Sequence, residues 1–361
     1  MKKSELLSLF ESVNNRMKDL DNETGVNEIC PISIIDMDTW EWAQGVGLYG
    51  MQKYYAETGK QEVLNFLIDW FDNNIRKGLP AKNVNTMCPL LTLTYVYEYT
   101  KKDIYLDICK EWAEWVIKEM PRTEEMGLQH IVSEKANHGQ IWIDTLFMTV
   151  LFMARMGKLL GREDYKAESV RQYLLHIKYL TNKKNGLFDH GFDFNGRHAF
   201  GEIQWGRGNS WYTSSVVDYL DILGDLDMGV KWFLLDTLHA QVQALEQYQN
   251  RNGMWHTLIS DKDSYLEASA TAGFAYGILK AVRLGYIPEH YRECGIKALE
   301  AIITRISKDG TVTEVSYGTA ICDDAQKYKV VPICPMTYGQ ALTLMLLTEA
   351  MKLDEVQVPA V

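Results

Sequence analysis

Basic charge is in short supply. The 361 residues carry 37 Lys and Arg against 48 Asp and Glu, a formal net charge of -11 at pH 7, with no basic stripe anywhere along the chain. Nucleic acid and anionic membranes are held by clustered cations that displace counterions, so neither is an expected partner. Long apolar runs are missing too, and no segment has the length and charge-free character of a membrane span. The opening Met1-Lys2-Lys3-Ser4-Glu5-Leu6-Leu7 turns acidic and amphipathic where a secretory signal needs an apolar region, which predicts a cytoplasmic protein. Cysteine is sparse: Cys30, Cys88, Cys109, Cys294, Cys322 and Cys334 are scattered without a C-x-x-C pair and read as reduced thiols. No His or Cys pair has zinc-like spacing and no acidic run matches a calcium loop, so neither a metal nor another cofactor is expected. Glycine-rich phosphate loops, nucleophile elbows and dinucleotide fingerprints are absent as well.

What is present is core-forming residues, 47% hydrophobic against 24% charged. They fall into a recurring two-part unit. Segments at approximately 43-57, 88-100, 144-160, 209-223, 269-285 and 336-352 are rich in Gly, Ala, Leu, Met or aromatics nearly all round, as helices buried on most sides must be. Segments at approximately 3-20, 61-77, 103-119, 163-181, 230-249 and 289-306 repeat apolar residues at helical spacing with charges between them. Twelve helices alternating in this way predict an all-α protein, a closed toroid of six helical hairpins or (α/α)6 barrel, formed as a single domain over 1-361. Polar, Trp-bearing sequences precede the apolar segments, so this topology brings Trp42, Asn85, Asp144, Arg207 and Tyr338 to one face.

Asp144 lies beside Trp142 and Phe147 at the mouth of an apolar segment. Either it is a general acid, with a pKa raised by partial desolvation, or it caps the helix by accepting a backbone N-H. Trp40, Trp42, Trp142, Trp205 and Trp211 cluster ahead of the inner helices and suit sugar platforms, whereas Trp70, Trp112, Trp115 and Trp232 sit inside amphipathic segments as packing residues. Arg207, between two glycines and two tryptophans, either pairs with a substrate carboxylate or forms a structural ion pair. His130, His138 and His190 occupy polar loops and either line the pocket or brace it. Asp36-Met37-Asp38 hints at the acid motif of helical-barrel terpene cyclases but lacks the third carboxylate.

Gln140-x-Trp142-x-Asp144-Thr145-Leu146-Phe147-Met148 resembles the catalytic segment of the unsaturated rhamnogalacturonyl hydrolases, glycoside hydrolase family 105. Trp205-x-Arg207-Gly208-Asn209-x-Trp211 is similar to that family's second signature, and the resemblance extends over nearly the whole chain, through Trp40-Glu41-Trp42, Val84-Asn85-Thr86-Met87-Cys88-Pro89-Leu90 and Pro335-Met336-Thr337-Tyr338-Gly339-Gln340. The resemblance implies an (α/α)6 barrel that hydrates the C4=C5 bond of a 4,5-unsaturated uronic acid, using Asp144 as the general acid and base. It further implies substrate contacts from Trp42, Asn85, Asn137, Gln140, Trp142, His190, Trp205, Arg207, Trp211 and Tyr338. The expected substrate is a rhamnogalacturonan-derived disaccharide and the expected product is rhamnose. Related enzymes on this scaffold prefer unsaturated glucuronyl disaccharides from glycosaminoglycans or ulvan, and Gly206, Ser210 and His138 fall where such preference is set. A monomer or weak homo-oligomer is expected. The rival readings are a sugar epimerase or ordinary glycosidase on the same barrel, and an oligosaccharide-binding protein without catalysis.

Overall fold

The computed structural model describes residues 1–22, 25–29 and 34–353, so Cys30 lies outside the described residues. Helices follow one another as α1 (Lys3–Lys18), α2 (Val26–Ile29), α3 (Trp42–Thr58), α4 (Gln61–Lys77), α5 (Cys88–Thr100), α6 (Asp103–Lys118) and α7 (Leu151–Leu160). They continue as α8 (Glu163–Leu180), α9 (Gly206–Leu223), α10 (Met228–Tyr248), α11 (Ala268–Arg283), α12 (Arg292–Ile303), α13 (Ala325–Lys329) and α14 (Thr337–Ala350). Each of α3, α5, α7, α9, α11 and α14 packs against the next, and α14 returns to α3, closing a ring of six. Around that ring α1, α4, α6, α8, α10 and α12 pack against one or two inner helices each. This is the (α/α)6 barrel that the alternation of apolar and amphipathic segments predicts.

Composition explains which helices go inside. Every residue of α14, and every residue of α9 except Asp221, is buried, which only a helix without a solvent face tolerates. Small residues let such helices approach closely: a Cβ on Gly50 of α3 would stand 2.8 Å from the Ala341 Cα of α14. The outer α4 is one-sided instead, burying Val63, Leu64, Leu67, Trp70 and Phe71 while Glu62, Asp69 and Arg76 remain exposed, and it stops at Gly78, whose φ of 97° suits glycine. Trp232 departs from the packing role expected of it and is 60% exposed. It lies two residues from the buried Leu234 of α10, a rotation of roughly 200° that turns it away from the barrel.

One inner helix starts later than its apolar run suggests. Gln140–Trp142 forms a short strand, β1, paired antiparallel with β2 (Gly191–Asp193), and Ile143 N-H then donates to the His190 carbonyl at 3.0 Å. The chain passes through a π-helical turn at Leu146–Val150 before regular α7 begins. Such wide turns are frequent at functional sites, and this one follows Asp144 directly.

The two ends of the ring differ in chemistry. Toward the C-terminal ends of the inner helices, Asp218 of α9 is buried among Tyr49 and Lys53 of α3 and Tyr276 and Lys280 of α11, with partners at 2.5 to 3.0 Å. The opposite end, where the inner helices begin, is open.

Candidate active site

A cavity opens at the N-terminal ends of the inner helices. Its walls come from far apart in sequence: Trp42 opening α3, Asn85 just ahead of α5, Trp142 and Asp144 ahead of α7, Trp205 and Arg207 at the start of α9, and Thr319–Ile321 from the loop before α14. Because the inner helices present their N-termini here, their dipoles place partial positive charge around the cavity, a setting that favours an anionic ligand.

Asp144 is the carboxylate inside this cavity; the other lining carboxylate, Glu134, is exposed on the rim. Its backbone carbonyl opens the helix by accepting Phe147 and Met148 N-H at 3.0 Å each, which leaves the side chain for other partners. Oδ1 accepts the Trp211 indole N-H at 3.2 Å, and Oδ2 lies 3.4 Å from His190 Nε2. The sequence predicts a raised pKa, and the structure corrects this. Burial pushes the carboxyl up, but the contact with His190 and the charges of His190 and His130 outweigh it and hold Asp144 below its ordinary value. His130 is itself pushed down to about 3 by burial, so its charge acts only in acid and the His190 contact carries the effect near neutrality. His190 lies 46 residues from Asp144, beyond what local sequence around Trp142 and Phe147 can reveal.

The aromatic walls are braced by neighbouring side chains. Trp142 stacks on the His130 ring at 4.2 Å and 12°, and its indole N-H is held by Gln140 Oε1 at 3.0 Å. Trp42 stacks on Tyr338 at 4.8 Å and 16°. Trp205 packs on His190 at 4.4 Å. Asn85 lines the cavity, as does Asn137, whose amide donates to the His130 carbonyl at 2.9 Å in a left-handed turn.

Four predicted site residues stand behind the walls. Gln140 spans from Trp142 to Asp193, Trp211 holds Asp144, His190 backs Asp144, and the Tyr338 hydroxyl donates to the Ser316 carbonyl at 2.6 Å. Trp40 is a core residue, stacked on Trp70 at 5.3 Å with its N-H on the Thr86 carbonyl.

Arg207 borders the cavity yet is fully buried, and its terminal nitrogens are committed to protein. They donate to the Ser316 carbonyl at 3.0 Å and hydroxyl at 2.6 Å, the Tyr317 carbonyl at 2.9 Å and the Thr319 hydroxyl at 3.1 Å. Glu267 lies 3.7 Å away, and the guanidinium is sandwiched between the Trp205 and Tyr338 rings at 4.7 Å each. The structural ion pair open from sequence is formed, and Arg207 lines the cavity as well. Glu267 and Tyr328 were missed by sequence reasoning. Glu267 immediately precedes an inner helix, as Asp144 nearly does, and that position was the available signal; Tyr328 offers none.

A family model described as Glycosyl Hydrolase Family 88 matches residues 11–354. The unsaturated rhamnogalacturonyl hydrolase YesR of Bacillus subtilis (strain 168) is 35% identical over 317 residues, covering 87% of this chain and 90% of YesR. A crystal structure from Salmonella enterica subsp. enterica serovar Paratyphi A, described as a possible member of the GH105 family, superposes with a TM-score of 0.95 at 43% identity, covering 98% of this chain and 95% of that one. A second, from Klebsiella pneumoniae and described in the same words, gives a TM-score of 0.92 at 42% identity over 98% and 94%. With its sequence matched from residue 11 to residue 354 and its barrel superposed almost end to end, the chain belongs to Glycosyl Hydrolase Family 88, alongside GH105-type relatives, and is a glycoside hydrolase.

Proposed function

We propose that the protein removes the 4,5-unsaturated galacturonyl residue from rhamnogalacturonan-derived disaccharides and releases rhamnose, with Asp144 as the general acid and base. The observation that carries this reading is the placement of Asp144 inside an aromatic-walled cavity, with the second lining carboxylate out on the rim. Displacement at the glycosidic carbon requires two carboxyl groups flanking the bond, whereas hydration of a double bond needs one group that gives and then takes a proton. The substrate named for YesR supports the choice of aglycone.

In this scheme the Asp144 carboxyl gives its proton to C4, and positive charge develops at C5, shared with the ring oxygen. Water adds at C5 and returns a proton to the Asp144 carboxylate. The resulting hemiketal opens as the C5–ring oxygen bond breaks and the ring oxygen takes the C5 hydroxyl proton, leaving a ketone at C5. The hemiacetal thus formed at C1 expels the aglycone as an alcohol. In the resting enzyme the His190 contact favours the carboxylate form of Asp144. An incoming uronate adds negative charge and excludes water, and both effects favour the protonated acid. The ring packs on Trp42 and Trp142, Asn85 and Asn137 border its hydroxyls, and Arg207 holds the Thr319–Ile321 wall in place. Cys88, Cys109, Cys294 and Cys322 are free thiols, which supports the cytoplasmic setting.

The test is the ultraviolet absorbance of the conjugated enol-ether acid on incubation with unsaturated rhamnogalacturonan disaccharide, run beside an unsaturated chondroitin disaccharide. Loss with the first alone supports the reading. Loss with the second alone keeps the chemistry and replaces the substrate.

A further inference from the structure

Tyr328 is carried by α13, in the loop that walls the cavity, and is buried in a small cluster with Ile203, Trp205 and Leu258. Its hydroxyl lies 2.7 Å from His190 Nδ1. The backbone of His190 is already fixed, its N-H donating to the Ile203 carbonyl at 3.1 Å and its carbonyl accepting from Ile143 at 3.0 Å. What remains free is the ring: its rotation and the nitrogen that holds its proton. Trp205 limits the rotation by packing at 4.4 Å, and Trp142 meets the ring edge-on at 5.5 Å. At the far nitrogen, His190 Nε2 and Asp144 Oδ2 are buried atoms without a hydrogen-bond partner among the described residues of the resting site, 3.4 Å apart.

We propose that Tyr328 is a positioning residue for the hydration reaction: its hydroxyl donates to His190 Nδ1, placing the imidazole proton on Nε2, facing Asp144. The other contact of the hydroxyl fits this direction. Its oxygen accepts the Cys322 backbone N-H at 3.4 Å, leaving the hydroxyl hydrogen for Nδ1. Burial holds the phenol well above its ordinary range, so it keeps that hydrogen throughout the working pH range. A ring whose Nδ1 accepts must carry its proton on Nε2 when neutral, and a donor there is what the Asp144 carboxylate requires after it has protonated C4. The other tautomer would turn a lone pair toward that carboxylate.

The remaining titratable groups near the pair leave this assignment standing. His130, from the loop before β1, is pushed down to about 3 by burial, and His176 of α8 to about 4 by the same cause. Asp189 is pushed up to about 6 by burial, with its side chain turned to Gln204 and Asn182. Cys322 lies on the Tyr328 side of the ring.

The inference rests on the proposed hydration activity, and two measurements keep the two separable. Tyr328→Phe keeps the packing and removes only the hydroxyl. Its KM should stay within about twofold and its kcat fall roughly tenfold, well short of the loss of a general acid. The limb of the kcat profile that declines with rising pH should move upward, because Asp144 loses an oriented donor. Leu258→Ala, which loosens the same cluster without touching the hydroxyl, should leave that limb in place. Nitrogen NMR of histidine-labelled enzyme should show neutral His190 protonated at Nε2 in the wild type, and a mixture of tautomers in Tyr328→Phe. A profile that only scales, with no displacement, overturns the proposal, as does an unchanged tautomer. If the wild type leaves the disaccharide intact, the activity reading fails while the His190 signals still decide the role of Tyr328.

Discussion

Replacing Arg207 by methionine separates a wall clamp from a substrate ligand. In the wild type the guanidinium binds two backbone carbonyls, three hydroxyls and a carboxylate, in a fully buried setting. Methionine fills much of the volume between Trp205 and Tyr338 but supplies no donor. Glu267 keeps the Ser316 N-H at 2.9 Å, the Ala270 N-H at 2.6 Å and the Ser269 hydroxyl, so it is not stripped of partners, yet it loses its only nearby cation among the described residues. Breaking one side of a buried ion pair costs about 3–5 kcal/mol. With a urea slope of about 2–3 kcal/mol per molar, the midpoint should fall by roughly 1–2.5 M. Equilibrium urea unfolding followed by tryptophan fluorescence measures it, and steady-state kinetics on the unsaturated disaccharide follow the site. The clamp predicts destabilisation together with a weakened kcat/KM, because Thr319–Ile321 lose their anchor. Wild-type stability combined with a raised KM would refute the reasoning and make Arg207 a ligand of the sugar carboxylate.

Asp218→Asn should destabilise by about 3–5 kcal/mol, read from the same unfolding curves, because Lys53 and Lys280 would then lose the buried anion between them, with Asp221 left as the partner of Lys280. His130, whose folded pKa is pushed down to about 3 from 6.5, contributes stability that is complete above about pH 6.5 and lost as the pH falls toward 3. His130→Asn should flatten that acid limb by up to roughly 5 kcal/mol, measured as the difference between the two stability–pH curves. Asp189, pushed up to about 6, acts in the opposite sense: its contribution is present below about pH 4 and lost as the pH rises through 6, so Asp189→Asn should lessen the loss over that interval.

Much of the barrel was legible because burial on all faces leaves a compositional mark. The runs in α9 and α14 contain almost nothing that needs water, and amphipathic helices such as α4 alternate with them. The late start of α7 was hidden, since an apolar run does not distinguish a π-helical turn from an α-helix, and the pairing of β1 with β2 joins residues about 50 positions apart. At the site, Trp42, Trp142 and Asp144 were readable from aromatic residues gathered ahead of inner helices. The charge state of Asp144 was not, because His190 approaches from another hairpin. Arg207 is instructive for the same reason: its neighbours in sequence are glycines and tryptophans, and its partners Glu267 and Ser316 come from two later loops.

The most direct test of the central claim follows the enol-ether absorbance of unsaturated rhamnogalacturonan disaccharide with wild-type enzyme and with Asp144→Asn, after circular dichroism has shown both to be folded. The account predicts rapid loss with the wild type and a rate at least about 10²-fold lower with the variant. A folded Asp144→Asn enzyme that consumes the substrate at the wild-type rate would contradict it.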